Sequence, residues 1–330
     1  MRLGILGAGK IVKEFLTFAD RVPDLTIATI CSRPKSEEKL KQLCAAYSIP
    51  HYDTDPNQML DRKEIDTVYV ALPNSLHYTA CREALLAGKN VICEKPLTSS
   101  YTEARDLAEL AEKQGRILLE AISTSYLPIM KEIQRRLPDL GRIRLVSANF
   151  SQYSSRWKDF RQGIIQPVFN PEMAGGALMD INIYNIHFLV DLFGAPDDVH
   201  YYPNIDRGVD TSGILILNYP DFNATSIGAK DSESSCGITI QGDLGHLEIQ
   251  KPANAIDSFT FQKNGLPESL EKVSAPFRNH RMYEEFVRFT EIIRDNDLSF
   301  SHEAMEKSLA VMQTATFARE TAGILVPSEV

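Results

Sequence analysis

Arg2-Leu3-Gly4-Ile5-Leu6-Gly7-Ala8-Gly9-Lys10-Ile11-Val12 is a short apolar run that breaks at two glycines and opens a helical stretch. The run is rich in Ile and Leu and too short for a helix, so it reads as a strand buried on both faces. Gly7 permits a tight turn and Gly9 leaves the backbone bare. The helix that begins at Lys10 and Ile11 then offers free N–H groups and the positive end of its dipole to a phosphate. This is the setting of a dinucleotide fingerprint, in partial form because Val12 stands where a third Gly or Ala is usual. A nucleoside-triphosphate loop is the competing reading, since Gly4 and Gly9-Lys10 have its spacing. That loop needs Ser or Thr after the lysine to hold magnesium, and this chain has Ile11.

Outward from the turn, short apolar runs alternate with amphipathic stretches over residues 1–121. Strands are expected at 2–6, 26–30, 67–72, 90–93 and 116–119, and helices at 11–20, 36–47, 75–87 and 102–113. Strict alternation means a doubly wound parallel sheet of Rossmann type. Beyond Ala121 the rhythm changes to helices at 128–137 and 176–192, strand runs from 144 to 262 joined by short polar turns, and two closing helices. Residues 122–330 therefore read as an α+β domain with a large, mainly antiparallel open sheet. It is the candidate substrate-binding and oligomerisation domain.

Composition narrows the function. The 330 residues are 43% hydrophobic and 24% charged, an ordinary globular balance, and the net charge of −9 argues against nucleic-acid or anionic-membrane partners. The five cysteines are scattered and never form a C-x-x-C pair, which fits reduced thiols and no metal site. With no apolar run of membrane-spanning length and no signal-peptide pattern, the chain reads as a cytoplasmic, enzyme-sized protein.

The end of the second strand selects the cofactor. NAD enzymes place a carboxylate there for the ribose diol, whereas here the strand runs into Ser32-Arg33, a hydroxyl and a guanidinium suited to a 2′-phosphate. NADP is favoured over NAD. The backbone of Leu72-Pro73 and the side chain of Asn74 follow a later strand and are expected along the ribose. Glu94-Lys95 closes another strand and points to the ligand crevice at its carboxyl end.

Four motifs then resemble the glucose–fructose oxidoreductase / inositol dehydrogenase (Gfo/Idh/MocA) family over essentially the whole chain. They are Gly7-Ala8-Gly9, Pro73-Asn74-x-x-His77, Glu94-Lys95-Pro96, and Gly175-Gly176-Ala177-Leu178-Met179-Asp180-Ile181-Asn182-Ile183-Tyr184. The resemblance implies a catalytic Lys95, cofactor contacts at Gly7, Gly9, Lys10, Ile11, Ser32, Arg33, Leu72, Pro73, Asn74, His77, Glu94 and Lys95, and a subunit interface on the C-terminal sheet. Tyr184 in place of the usual histidine resembles the branch of dimeric dihydrodiol dehydrogenase and NADP-dependent xylose dehydrogenase, in which tyrosine is the acid/base. Asn182 replaces the glycine usual in that branch and is expected to crowd the pocket.

The chemistry is coherent. Asp180 and Tyr184 are four residues apart and share a helical face, with His187 a turn further on. A free tyrosine titrates at about 10, and a nearby ammonium such as that of Lys95 favours its phenolate. Tyr184 would then take a hydroxyl proton while hydride leaves the same carbon for the nicotinamide. Lys95 would polarise the oxygen, and Asp180 would orient Lys95 or a second hydroxyl. His187 is the reserve acid/base. Arg156 and Trp157, the only tryptophan, are candidate contacts to a sugar, polyol or cyclic diol. The rival functions are a non-catalytic NAD(P)-binding regulator of the same fold and an NAD-preferring inositol or sugar dehydrogenase. A homodimer or homotetramer is expected.

Overall fold

The computed structural model describes residues 1–324 and divides into two compact units. Met1–Ala121 forms most of the first. Its strands are β1 (Arg2–Leu6), β2 (Thr26–Cys31), β3 (His51–Asp53), β4 (Thr67–Val70), β5 (Asn90–Glu94) and β6 (Leu118–Ala121). They pair in parallel in the order β3-β2-β1-β4-β5-β6, so the direction of winding reverses between β1 and β4. Helices α1 (Lys10–Leu16), α2 (Glu37–Tyr47), α3 (Pro56–Leu60), α4 (His77–Leu86) and α5 (Tyr101–Gln114) alternate with the strands. Every residue of β4 and β6 is buried, as a sheet covered on both faces requires. α5 ends as its sequence predicts: the Ser100 side chain accepts from the Glu103 N–H, and Gly115 terminates the helix in the left-handed region.

Two elements of this unit escape periodicity. β3 is three residues long and polar, and α3 spans five. Both are held by side-chain bonds rather than by an apolar face. Asp53 at the end of β3 accepts from Thr29 Oγ1 at 2.7 Å and from Arg62 Nε and Nη2 at 2.8 and 2.9 Å. Asp55 caps α3 by accepting from the Asn57 N–H. Burial pushes the Asp53 carboxyl up, but the two-pronged Arg62 and the Thr29 hydroxyl outweigh it and hold it below the usual carboxylate range.

The second unit runs over Ile122–Arg281 and resumes from Ala310. It begins with α6 (Ser123–Tyr126), α7 (Ile129–Arg136), β7 (Ile143–Ser151) and α8 (Trp157–Arg161). A π turn over Leu178–Asn182 leads straight into α9 (Ile183–Phe193). The remaining strands are β8 (Asp198–Asp206), β9 (Val209–Asn218), β10 (Asn223–Ala229), β11 (Gly237–Gly242), β12 (Gly245–Ile249), β13 (Ser258–Lys263) and β14 (Glu271–Ser274). They form one eight-stranded sheet, β14-β13-β12-β11-β7-β10-β9-β8. It is antiparallel as expected except where β7, separated from β8 by α8 and α9, pairs in parallel with β10. Alternation makes the sheet two-faced: Val146, Ala148, Phe150, Leu215, Leu217, Ile238, Ile240, Phe259 and Phe261 are buried. Leu145, Tyr202 and Ile214 are exposed on the other parity.

The closing helices are α10 (Tyr283–Arg294) and α11 (Leu298–Thr321). Met282–Leu309 groups with the first compact unit. Aromatic packing is the reason: Phe286 lies 4.2 Å from Phe15 and 5.2 Å from Tyr69, centroid to centroid. Ser301 Oγ, in addition, meets the Leu118 N–H and carbonyl at 3.2 and 3.1 Å, covering the outer edge of β6.

The Asp53 arrangement makes a pH-resolved prediction. Because its folded pKa is lower than its unfolded one, its stabilisation is complete above about pH 4 and is lost as pH falls through the folded value. Asp53→Asn should cost about 2 kcal/mol near neutrality by urea unfolding. The gap between wild type and variant should close below about pH 4. A gap that persists at low pH would contradict the assignment.

Candidate active site

Parallel register sets the nucleotide end of the first unit. Leu6 pairs with Cys31 and Val70, and Val70 with Cys93, so the ends of β1, β2, β4 and β5 lie level with one another. The turns after them carry Gly7, Ser32, Leu72-Pro73-Asn74 and Lys95. Gly7 has φ +129°, and any Cβ there would overlap the Ala71 carbonyl oxygen, so the first turn rides directly on the end of β4. At Gly9 the opposite holds: nothing lies within 4 Å of where a Cβ would be. The first turn of α1 carries no acidic side chain. A tight corner, an open glycine and a helix start free of acidic side chains are what a pyrophosphate needs, and the site fits the dinucleotide.

Around the adenosine end, Ser32 is half-buried, with its N–H donating to the Asp53 carbonyl at 3.2 Å, while Arg33 and Lys35 are exposed. The carboxylate that β3 brings alongside is committed to Arg62 and Thr29, which leaves a hydroxyl and a guanidinium on this rim. Sequence reasoning missed Lys39, which reaches back from α2 and donates to the Ala8 carbonyl inside the glycine turn. Burial, then the nearby Lys13, lowers its ammonium pKa.

The end of β5 is braced by buried polar groups. Tyr69 donates to Glu94 Oε1 at 2.5 Å, and the Leu97 N–H donates to Glu120 Oε1 at 2.9 Å. His77 is fully buried, with Nδ1 2.9 Å from the Pro96 carbonyl and Nε2 2.9 Å from the Leu72 carbonyl. Burial lowers its pKa against the pull of both carbonyls, and a neutral ring donates to one of them. His77 and Glu94 were expected to touch the cofactor. Both are buried: His77 ties together the two turns that carry Asn74 and Lys95, and Glu94 is held by Tyr69. Lys95 itself is half-buried.

In the second unit the motif glycines fix where the acid/base helix starts. A Cβ on Gly175 would sit 2.6 Å from the Pro167 carbonyl oxygen, and one on Gly176, at φ +121°, would overlap the Asp210 carboxylate. Asp210 is buried and accepts from the Leu178 N–H at 2.7 Å and the Tyr201 hydroxyl at 2.8 Å. Burial pushes its carboxyl up, and those two bonds oppose the shift. The helix then winds as a π turn through Asp180 before becoming regular, a device frequent at functional sites. Tyr184 is 7% exposed, its ring 6.0 Å from Phe150, and His187, 2% exposed, is buried on the same helix.

Three side chains have surroundings that the sequence alone does not reveal. Asn182 packs onto the sheet. It is fully buried against β10, with Oδ1 accepting from Ser226 Oγ at 2.6 Å and from Asn185 Nδ2 at 2.9 Å. Gly228 makes the room, since a Cβ there would lie 2.7 Å from Asn182 Cβ. Trp157 is half-buried, stacked on Phe160 at 5.3 Å and tilted on Phe169 at 5.7 Å, and Arg156 beside it is half-buried too. Lys230, which follows β10 and reads as an ordinary surface lysine, is 2% exposed and pairs with Asp180 Oδ2 at 2.7 Å. Among the described residues no group of His, Cys, Asp and Glu could hold a metal ion, and no helix is long and apolar enough to cross a membrane.

Known proteins share this organisation. Residues 1–122 match an oxidoreductase family with an NAD-binding Rossmann fold, and residues 137–248 match the GFO/IDH/MocA C-terminal domain. The chain is 33% identical to a scyllo-inositol 2-dehydrogenase (NADP(+)) of Bacillus subtilis, over 100% of this chain and 99% of that one. It is 25% identical to a D-xylose 1-dehydrogenase (NADP(+)) of Hypocrea jecorina, over 99% and 93%. The crystal structure of a 3-ketoreductase from Actinomadura kijaniata, in complex with NADP and TDP-benzene, has the same fold. It superposes with a TM-score of 0.82 at 22% identity, covering 97% of each chain.

The packing of Asn182 against Gly228 is testable. Gly228→Ala should destabilise the protein by about 1–3 kcal/mol in urea. In an Asn182→Gly background the same change should cost at least about 0.5 kcal/mol less, because contacting residues are not additive. Equal costs in both backgrounds would show that the two do not press on each other.

Proposed function

The chain belongs to the Gfo/Idh/MocA oxidoreductase family, and from that membership we propose that Lys95, Asp180 and Tyr184 carry hydride exchange between NADP and a small sugar, polyol or cyclic diol. The observation that supports this reading most is the sorting of buried and available groups. His77 and His187 are almost wholly buried, Glu94 and Tyr184 are each 7% exposed, and Lys95 and Asp180 keep partial exposure on braced elements. Bound NADP supplies a nicotinamide ring that takes or gives a hydride at the reacting carbon. Lys95 donates a hydrogen bond to the substrate oxygen and stabilises the charge that develops there. Tyr184 exchanges the hydroxyl proton at its Oη, and Asp180 accepts from a substrate hydroxyl to orient it. Ser32 and Arg33 hold the 2′-phosphate, Leu72, Pro73 and Asn74 line the ribose, and Gly7, Gly9, Lys10 and Ile11 seat the pyrophosphate.

A panel of scyllo-inositol, D-xylose, other aldoses and a cyclic trans-diol, assayed with NADP and NAD, tests the reading. Lys95→Ala should lower kcat by about 100-fold or more, and Tyr184→Phe by a comparable factor, with the NADPH Kd nearly unchanged. Arg33→Ala should weaken NADPH about 10-fold and leave NADH alone. Cofactor binding without turnover on any compound would favour the regulator instead. Full activity in Lys95→Ala would remove the catalytic assignment.

We also infer self-association through the outer face of the eight-stranded sheet. Tyr202 (64% exposed) pairs with Ile214 (45%), and Ile214 pairs with Ile227, giving an apolar row across three strands, with Leu145 exposed on the same sheet. A second copy of this chain is its natural cover. Sedimentation should give a dimer or tetramer for wild type and a smaller species for Ile214→Asp, and a monomeric wild type would refute this. All five cysteines are thiols, which supports the cytoplasmic placement.

A further inference from the structure

Lys230 is the most deeply buried ammonium of the second unit's site, and nothing in the hydride chemistry above uses it. Its backbone is pinned on both sides: the N–H donates to the Thr211 carbonyl at 2.8 Å, and the carbonyl accepts from the Ser154 N–H at 2.9 Å. The side chain is 2% exposed. The ammonium donates to the Val168 carbonyl at 2.6 Å, meets Asp180 Oδ2 at 2.7 Å, and stands 4.3 Å above the Phe169 ring. Phe169 stacks on Phe160 at 4.8 Å, and Phe160 on Trp157 at 5.3 Å. One cation thus joins the aromatic loop to the carboxylate that precedes Tyr184 on the site helix.

Stability is a poor reason for this pair. Burying an ammonium is costly, and well-packed apolar residues in place of a buried ion pair are often neutral or stabilising. What the pair does supply is direction. Asp180 is 27% exposed, so a sealed cation stands behind a carboxylate that is partly open in front. We propose that Lys230 is a positioning residue of the reaction: it fixes the charge and rotamer of Asp180, and couples them to the Trp157–Phe160–Phe169 stack. The inference rests on the assignment of Asp180 to substrate orientation.

The test compares wild type, Asp180→Asn, Lys230→Met, Lys230→Arg and the double variant Asp180→Asn/Lys230→Met. It uses the compound of the panel with the fastest turnover, together with NADPH titration and thermal melting. Lys230→Met should lower kcat about 10-fold or more with KM and the NADPH Kd within about 3-fold, since misplacing a reacting group acts mainly on turnover. Lys230→Arg should recover part of the loss by restoring the charge. In the double variant, Lys230→Met should add less than about 3-fold to the effect of Asp180→Asn, the signature of two residues acting through one contact. A kcat loss under about 3-fold in Lys230→Met, or a full additional loss in the double variant, overturns the proposal. If Lys230→Met alone fails to fold, the double variant decides. Folding with the activity of Asp180→Asn supports positioning, and failure to fold marks Lys230 as structural and overturns it. An Asp180→Asn variant with wild-type kinetics instead removes the underlying assignment of Asp180, which is a different failure.

Discussion

The carbonyl of Ala71 leaves no room for a side chain at position 7, and the first unit is arranged around that contact. β1 and β4 are neighbours at the point where the sheet reverses its winding, so the chain leaving β1 must turn sharply over the end of β4. Only a residue without Cβ makes that turn at φ +129°. Once it is made, the level register of β2, β1, β4 and β5 brings the following turns to one edge, and the reversal opens a crevice there. The open face of Gly9 is the consequence for ligand binding: the corner is closed where the sheet needs it closed and bare where a phosphate approaches.

Both units use buried polar side chains to hold working segments by their backbone. In the first, Glu120 takes the Leu97 N–H and His77 lies between the carbonyls of Leu72 and Pro96, so the turns around Asn74 and Lys95 are tied to one imidazole and one carboxylate. In the second, Asp210 takes the Leu178 N–H at the start of the π turn, and Gly176 exists in the form it does because that carboxylate occupies the space beside it. Each brace satisfies a backbone group that burial would otherwise leave costly, and fixes a turn that has no regular ladder to hold it. Lys230 extends the same principle from backbone to a side chain of the site.

Much of this was legible in the residues themselves. The parallel sheet followed from alternation, the glycine turn from its position after β1, and the family from four motifs in order. What was hidden depends on long-range contact. β3 and α3 carry no periodic apolar face, because bonds to Asp53 and Asp55 hold them. α10 lies far along the chain from Phe15 and Tyr69, so no local pattern announces that Phe286 completes their cluster. The motif marks His77 and Glu94 as special without saying whether they touch a ligand or support what does. Asn182 gives no local sign of its partner, Gly228, which is on another element. Lys230 and Asp210 offered no signal, since a lysine or aspartate near a strand end is ordinarily solvated.

The central claim is that this chain moves hydride between NADP and a carbinol carbon. Its most direct test is isotopic. scyllo-Inositol, D-xylose and a cyclic trans-diol, each deuterated at the carbinol or hemiacetal carbon, are incubated with the protein and NADP, and the reduced cofactor is analysed by mass spectrometry. The account predicts NADPH carrying one deuterium from at least one of these compounds, with the matching ketone or lactone as product and a rate that collapses in Lys95→Ala. NADP bound by the protein but never reduced by any of them, or reduced without deuterium, would contradict it.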